Sequence, residues 1–390
     1  MKSVRLIPKK TALPALVAML VASSMLSGCS GGAPQVSGLK YVSSFEGGHK
    51  YLAGKIDVLL LSGTYNEMGR QYGGMMKEEM HEYSAYIDKM LARPDVAREF
   101  TDKLKANPLQ KYPARFREIV NGMSETSGLS VEKMSSLDLN YCSAEAAWGS
   151  YTGGGPLVVG RNNDFPGVPP GSDKFSNIVV YNPSDGSLPC AFFADVGAVS
   201  ADTGYNCNGL MIESNDALEG SRPTPDRMLF SLEMPQFMFD SANLDTLSTE
   251  VASTRPNMPQ ICLVCDKNMG ISYELTSTDY RKAPPTADGL VVQTNDFVDP
   301  DWGETQSNSA TSDQRYDNML NLANQNKGKI DVATMKKMMS TPMSEGGPFR
   351  PGETVAKQVF VPATLEYWAA IPGYQEWVQV PLKALFENCR

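Results

Sequence analysis

Residues 137–165, LDLNYCSAEAAWGSYTGGGPLVVGRNNDF, leave the chain few ways to fold. Small and aromatic residues around Cys142 read as one strand, and the glycines of YTGGG at 151–155 supply a turn. The run PLVVG at 156–160 then carries the chain back as a second strand that ends in Arg161-Asn-Asn-Asp164. A hairpin sets its two ends side by side, so the spacing places the Arg161 guanidinium and the Asp164 carboxylate near the Cys142 thiol. A thiol flanked by a cation and a hydrogen-bond acceptor can serve as an activated nucleophile.

The segment ahead of this hairpin, residues 39–141, reads as mainly helical after one short strand at 55–61. Thr64 and Glu67 form a capping box, and Met68, Tyr72, Met75, Met76 and Met80 recur at helical spacing as a core face. Gly69 and Gly73 lie one turn apart, a costly choice in a helix unless another element packs closely there. Further helices are expected at 95–105, 115–125 and 130–139. Ser130-Val-Glu-Lys133 matches an SxxK pattern, but no SDN or KTG partner accompanies it, so Ser130 reads as a helix N-cap.

From Cys142 onward strands dominate. They are expected at 176–182, 190–196, 205–215, 259–265, 270–275, 289–294, 357–362, 365–371 and 376–380, with helices at 228–239, 244–254, 312–324 and 332–339. Strands at both ends with helices between them imply an α+β architecture, two sheets with helices outside.

Composition narrows the chemistry. The 390 residues include only two histidines, His49 and His81, both in the helical segment, which disfavours a Ser-His-Asp or Cys-His hydrolase and a His-rich zinc site. No metal or organic cofactor is implied: no G-x-S-x-G, Walker loop or dinucleotide fingerprint is present. The net charge of −9 disfavours nucleic acid and anionic lipid surfaces as partners. Of the seven cysteines, Cys262 and Cys265 have CxxC spacing but fall on a strand, where residues three apart face opposite sides. They read as small buried hydrophobes.

The first residues read as an address. Lys2, Arg5, Lys9 and Lys10 precede an apolar run at 12–26 that is short for a membrane span and ends in LSGC at 26–29. This resembles a bacterial lipobox, which implies a lipoprotein signal peptide over 1–28, lipidation of Cys29 and a flexible tether over 29–38. Losing those four basic residues would take the net charge from −9 to −13. The expected location is the cell envelope, periplasm-facing or at the outer membrane, with a lipid anchor.

A cysteine can dispense with histidine when it is itself an N-terminus, because its α-amine, with a pKa of about 7.7–8.0, can act as the base. Cys142 followed by GRNNDF at 160–165 resembles the signature of N-terminal-nucleophile (Ntn) linear amide hydrolases. Choloylglycine hydrolases, penicillin V acylases, acid ceramidase and the acyl-CoA:6-aminopenicillanic acid acyltransferase (peptidase C45) group belong there. NCNGL at 206–210 leading to Asn215, TNDF at 294–297 and SDQRY at 312–316 resemble further family segments in the same order. GTYNEMGRQYG at 63–73 and REIVNGMSETSGLSVEKMSSLDLN at 117–140 look like the acyltransferase group's segment before its cysteine.

The resemblance implies an αββα four-layer sandwich and self-cleavage between Tyr141 and Cys142. The products would be a helical chain ending at 141 and a catalytic region at 142–390. Cys142 would be nucleophile and, through its freed amine, base. Asp164 would accept a hydrogen bond from that amine and Asn295 would orient it. Arg161 and Arg315 would favour the thiolate, and Asn215 would donate to the oxyanion, a position that Asp216 contests. Ser143 stands where the family carries threonine.

The implied activity is cleavage of a linear carboxamide in a small N-acyl substrate through an S-acyl-enzyme. An acyltransferase using an amine acceptor, a ceramidase-like lipid amidase, and a non-catalytic ligand-binding lipoprotein are the alternatives. The oligomeric state is not legible.

Overall fold

The apolar run after Lys55 has no polar alternation, the pattern of a strand covered on both faces, and it forms β3 (Ile56–Gly63) of a computed structural model. That model describes residues 35–93, 111–134, 142–165, 171–217, 224, 226–283, 285–298 and 310–388. Cys29, the signal segment, most of the tether, the helix expected at 95–105, the second half of the one expected at 130–139, Tyr141 and Cys389 lie outside the described residues.

The N-terminal segment is less purely helical than its sequence suggests. Two further strands, β1 (Lys40–Phe45) and β2 (Gly48–Ala53), precede β3 and pair with it in an antiparallel meander. Polar side chains along β1 hide it from a pattern search: it is an edge strand, mostly exposed. The capping box at Thr64 then starts α1 (Tyr65–Met75), followed after Met76 by α2 (Lys77–Leu91). The third helix, α3 (Ala114–Ser127), crosses α1 at the paired glycines, where a Cβ on Gly69 would stand 2.1 Å from the Ile119 carbonyl oxygen. One on Gly122 would stand 2.2 Å from that of Asn66, so both glycines are required by backbone proximity.

After a 3-10 turn at Val131–Met134, the expected hairpin forms from β4 (Ser143–Ala147) and β5 (Val158–Asp164), in a register that pairs Ser143 with Asn162 and Ala144 with Arg161. The meander continues through β6 (Ser176–Pro183), β7 (Cys190–Asp195), β8 (Thr203–Asn206) and β9 (Met211–Asp216). Two helices, α4 (Phe230–Asp240) and α5 (Leu244–Ser253), lead to β10 (Gln260–Cys265), β11 (Gly270–Leu275), β12 (Tyr280–Ala283) and β13 (Leu290–Gln293). The chain ends with α6 (Ala310–Gln325), α7 (Val332–Ser340), β14 (Thr354–Val361), β15 (Glu366–Ile371), β16 (Gln375–Val380) and α8 (Leu382–Glu387). The sequence reading missed β12 and α8, which are short and partly exposed.

Ten of these strands make one sheet, in the order β1-β2-β3-β6-β7-β8-β9-β10-β11-β12, and six make a second, β13-β4-β5-β14-β15-β16. Every pairing is antiparallel except β3 with β6, which joins the N-terminal segment to the rest through a parallel ladder. Three buried clusters define the layers. Side chains of α1, α3, α4 and α5 pack on the outer face of the larger sheet. Leu60, Ala144, Val159, Leu263 and Phe360 meet between the sheets. Met319, Ala323, Met335 and Met339 of α6 and α7 cover the outer face of the smaller one. The order is helix, sheet, sheet, helix, the αββα sandwich expected. Cys262 and Cys265 fall in different clusters, on opposite faces of β10.

Candidate active site

The pleat of β5 points alternate residues to opposite sides, so Arg161 and Asn163 enter the space between the sheets while Asn162 turns to α7, donating to the Met339 carbonyl. Arg161 is fully buried. Its Nη1 donates to Asn215 Oδ1 at 3.0 Å, its Nη2 donates to the Ser214 carbonyl at 2.8 Å, and the Glu213 carboxylate forms an ion pair with it. Glu213 also accepts from Gln293. The strand β9 therefore presents Glu213 and Asn215 inward, while Asp216 accepts from Gln260 Nε2 at 2.8 Å. The pleat sets Asn215 against Arg161 and turns the Asp216 side chain to Gln260.

Cys142, just ahead of β4, is completely buried. The Asn163 amide stands 3.8 Å from its sulfur. Burial pushes the thiol up to about 12; the Arg161 guanidinium pulls it down, and the carboxylates of Asp202 and Asp164 push it up.

The main chain of Cys142 is held from the helix side. Arg315, in the first turns of α6, donates from Nη1 to the Cys142 carbonyl at 2.9 Å and from Nη2 to Asn295 Oδ1 at 2.6 Å. Its Nη1 also lies 3.6 Å from Asp164 Oδ2. Asn295 in turn donates from Nδ2 to the Asp216 carbonyl at 2.6 Å. Ser312 links the elements: its hydroxyl accepts from the Asn295 N–H at 3.0 Å and donates to Thr294 Oγ1 at 3.0 Å, fixing the start of α6 beyond the end of β13. Asn215 Nδ2 donates to the Thr294 carbonyl at 3.0 Å and keeps a second N–H.

Asp164 accepts from Thr354 Oγ1 at 2.6 Å, through Oδ1. Its other oxygen, Oδ2, is buried and has no hydrogen-bond partner. Burial raises the Asp164 carboxyl above its ordinary range, against the opposing pull of Arg315 and Thr354.

The structure thus gathers Cys142, Arg161, Asp164, Asn215, Asn295 and Arg315 in one buried cluster. It adds partners that the sequence did not single out. Gln358 of β14 donates to Asn163 Oδ1 at 2.7 Å and accepts from the hydroxyls of Tyr205 and Tyr367, each at 2.8 Å. Gln358 and Glu213 are long polar side chains buried inside strands, with apolar residues next to each, the one signal by which they could have been found. The two histidines are elsewhere: His81 Nε2 meets the Ser127 carbonyl at 3.0 Å, and His49 sits on β2 beside Tyr51. Among the described residues no group of three or more histidine, cysteine, aspartate or glutamate side chains could hold a metal ion.

No protein-family model matches the chain, and no curated protein matches it. Among solved structures it is similar to a Caenorhabditis elegans ortholog of N-acylethanolamine-hydrolyzing acid amidase, at 17% identity and a TM-score of 0.46, over 62% of this chain and 100% of that one. It is also similar to a mutant conjugated bile acid hydrolase from Clostridium perfringens, at 11% identity and a TM-score of 0.42, over 62% of this chain and 92% of that one. Penicillin V acylase from Agrobacterium tumefaciens follows at 13% identity and a TM-score of 0.41, over 61% of this chain and 86% of that one.

Proposed function

We propose that the protein is a cysteine N-terminal-nucleophile amidohydrolase, made active by its own cleavage between Tyr141 and Cys142. One observation carries the reading: a buried carboxylate oxygen, Asp164 Oδ2, lacks a hydrogen-bond donor beside the backbone of Cys142, which is set between two buried arginines. A buried acceptor left unpaired costs about 1–3 kcal/mol, and an α-amine freed on Cys142 would supply the missing donor.

In the cut chain that amine takes the thiol proton, and the thiolate attacks the carbonyl carbon of a linear amide. The remaining N–H of Asn215 Nδ2 is available to the tetrahedral oxyanion, an interaction worth about 3–4 kcal/mol in sites of this kind. Collapse expels the amine, which leaves with the proton that the α-amine had taken. Water then attacks the S-acyl-enzyme, the α-amine removing its proton and returning it to sulfur. Arg161 favours the thiolate by its charge, and its ion pair with Glu213 and hydrogen bond to Asn215 fix it in place.

The test is intact mass and N-terminal sequencing of wild type beside Cys142→Ala. Wild type is expected as two chains, one beginning Cys-Ser-Ala-Glu, and the variant as one. A wild type that stays whole removes the base from the mechanism and leaves a ligand-binding protein. Hydrolysis and transfer to an added amine are separated by following both products over time. Export and anchoring through Cys29 are part of the same reading, and a diacylglyceryl mass on a Cys29 N-terminal peptide is the result that supports them.

A further inference from the structure

Four polar side chains stand in one row on the face of the smaller sheet that α6 and α7 cover. The pleat assigns the face: Ala147 of β4 and Val158 of β5 pack with Met319, Met335 and Met339, so Ser143, Glu145, Asn162 and Asp164, at matching parity, point the same way. Two contacts agree, Asn162 donating to the Met339 carbonyl and Asp164 Oδ2 facing Arg315. Register sets the order. Ser143 lies across from Asn162 and Glu145 across from Gly160, which leaves Asp164 at one end of the row and Glu145 at the other. All four residues are fully buried. Ser143 Oγ, Asn162 Oδ1, Asp164 Oδ2 and both Glu145 carboxylate oxygens have no hydrogen-bond partner. Gly160 leaves room beside Glu145, and methionines roof it: a Cβ on Gly160 would stand 2.5 Å from Met335 Sδ and 2.8 Å from Met339 Cγ. The charges around the row gather at the Asp164 end, where Arg315, Arg350 and Glu353 act on that carboxyl. At the other end β13 brings Val292, Lys336 of α7 sits over the Trp368 ring, and burial is the influence that lifts the Glu145 carboxyl.

The row is short of donors. Ser143 brings one hydroxyl hydrogen, while Asp164 Oδ2, Asn162 Oδ1 and the Glu145 oxygens are acceptors alone unless Glu145 carries a proton. Residues paired across antiparallel strands have Cα atoms about 4.5–5.5 Å apart, and same-face neighbours on one strand about 6.5–7 Å apart. Water bridges side chains at such separations and, when buried, makes about three hydrogen bonds to groups that otherwise lack them. We propose that ordered water joins the four side chains into one hydrogen-bonded file, and that Glu145, protonated at its far end, is a positioning residue that sends donors along it to Asp164. The file stands on the row's geometry; its effect rests on the amidase reading, which sets the freed α-amine of Cys142 at Asp164 Oδ2. That oxygen has two lone pairs, one for the amine and one for the file. A second donor spreads the carboxylate charge, which weakens its hold on the ammonium form and leaves more of the amine neutral, the form that acts as base. A glutamine at 145 keeps the donor, and a leucine of similar size removes it. No covalent bond changes within the file.

The experiment reads the file and its effect separately. Infrared difference spectra of uncut Cys142→Ala against Cys142→Ala/Glu145→Gln, at about pH 7, are expected to show a protonated-carboxyl band at the frequency of a hydrogen-bonded acid. A carboxylate band, or the frequency of an acid without hydrogen bonds, overturns the proposal. In processed protein, kcat/KM against pH is followed for whichever N-acyl 4-nitroanilide is cleaved fastest. Its acid limb is expected to move up by about half a unit or more in Glu145→Leu and by no more than about 0.2 unit in Glu145→Gln. Ser143→Ala removes the middle donor and is expected to move the limb the same way, which keeps the test decisive should Glu145→Leu fail to fold. A limb that stays in place in the leucine and alanine variants, or moves as far with glutamine as with leucine, overturns the positioning role. A wild type that turns over no amide sinks the amidase reading and with it the effect on the amine; the infrared band then still decides the file.

Discussion

Arg315 Nη1 donates to the carbonyl oxygen of Cys142 at 2.9 Å, so the arginine grips the main chain of the candidate nucleophile and not its sulfur. The same guanidinium faces Asp164 Oδ2 at 3.6 Å and bonds Asn295, which places a strand end, a helix start and the hairpin mouth under one side chain. Arg161 acts on the opposite face, between the sheets. The two arginines divide the work: one positions the backbone, the other sets the field at the thiol.

Removing one member of the buried pair is therefore expected to cost more than removing both. Arg315→Met should destabilise by about 3 kcal/mol or more, because Asp164 is left buried without its cation. Arg315→Met/Asp164→Leu should recover part of that loss. Urea midpoints of the two singles and the double form the cycle, and strict additivity would show that the pair is not coupled.

The thiol of the uncut chain should be slow to react with an external alkylating agent. With Cys142 pushed up to about 12 by burial, alkylation by iodoacetamide at about pH 8 should proceed on the order of 10³-fold more slowly than at the partly exposed Cys207. Peptide mass spectrometry of the uncut fraction reads both sites in one sample. Comparable labelling would mean that the site opens without cleavage.

The contact of α1 and α3 should not tolerate a methyl group. Gly69→Ala brings a Cβ to 2.1 Å from the Ile119 carbonyl oxygen, so the helices must separate, at a cost of roughly 1–3 kcal/mol. Gly69 is helical and has no left-handed strain to relieve, so an alanine there would otherwise raise helix propensity. A urea midpoint equal to or above that of wild type would show that the helix contact is soft.

Glu145 predicts a pH dependence. Both carboxylate oxygens are buried without hydrogen-bond partners, on the face of β4 opposite Ala144 and Ala146, and burial holds the group well above the ordinary carboxylate range. The folded protein thus keeps a proton that the unfolded chain releases above about 4.3. Its stabilising contribution is fully present below that value and is lost as pH rises toward the folded pKa. Glu145→Met should therefore gain on wild type in urea midpoint as pH goes from about 5 to about 8. A gain that stays flat with pH would assign the effect to packing alone.

How much was legible follows from where each signal resides. The hairpin of β4 and β5, the Thr64 capping box, the glycine contact of α1 and most of the helix–strand order after Cys142 are local patterns, with periods of 2 or 3.6 residues or a turn between them, and the sequence by itself determined them; β1, β2, β12 and α8 it did not reveal. Six candidate site residues could be named because they lie in short motifs. Which neighbours they meet was decided only by the tertiary structure. Asn215 meets Arg161, and Asp216 does not, because the pleat of β9 turns Met211, Glu213 and Asn215 inward, a phase that depends on register with β8 and β10. Glu213 against Arg161 joins the two sheets across 52 positions of chain, and Gln358 against Asn163 joins the neighbouring strands β14 and β5 of one sheet across 195; the first exists only once the sheets have stacked and the second only once the smaller sheet has formed, because no local pattern encodes either contact.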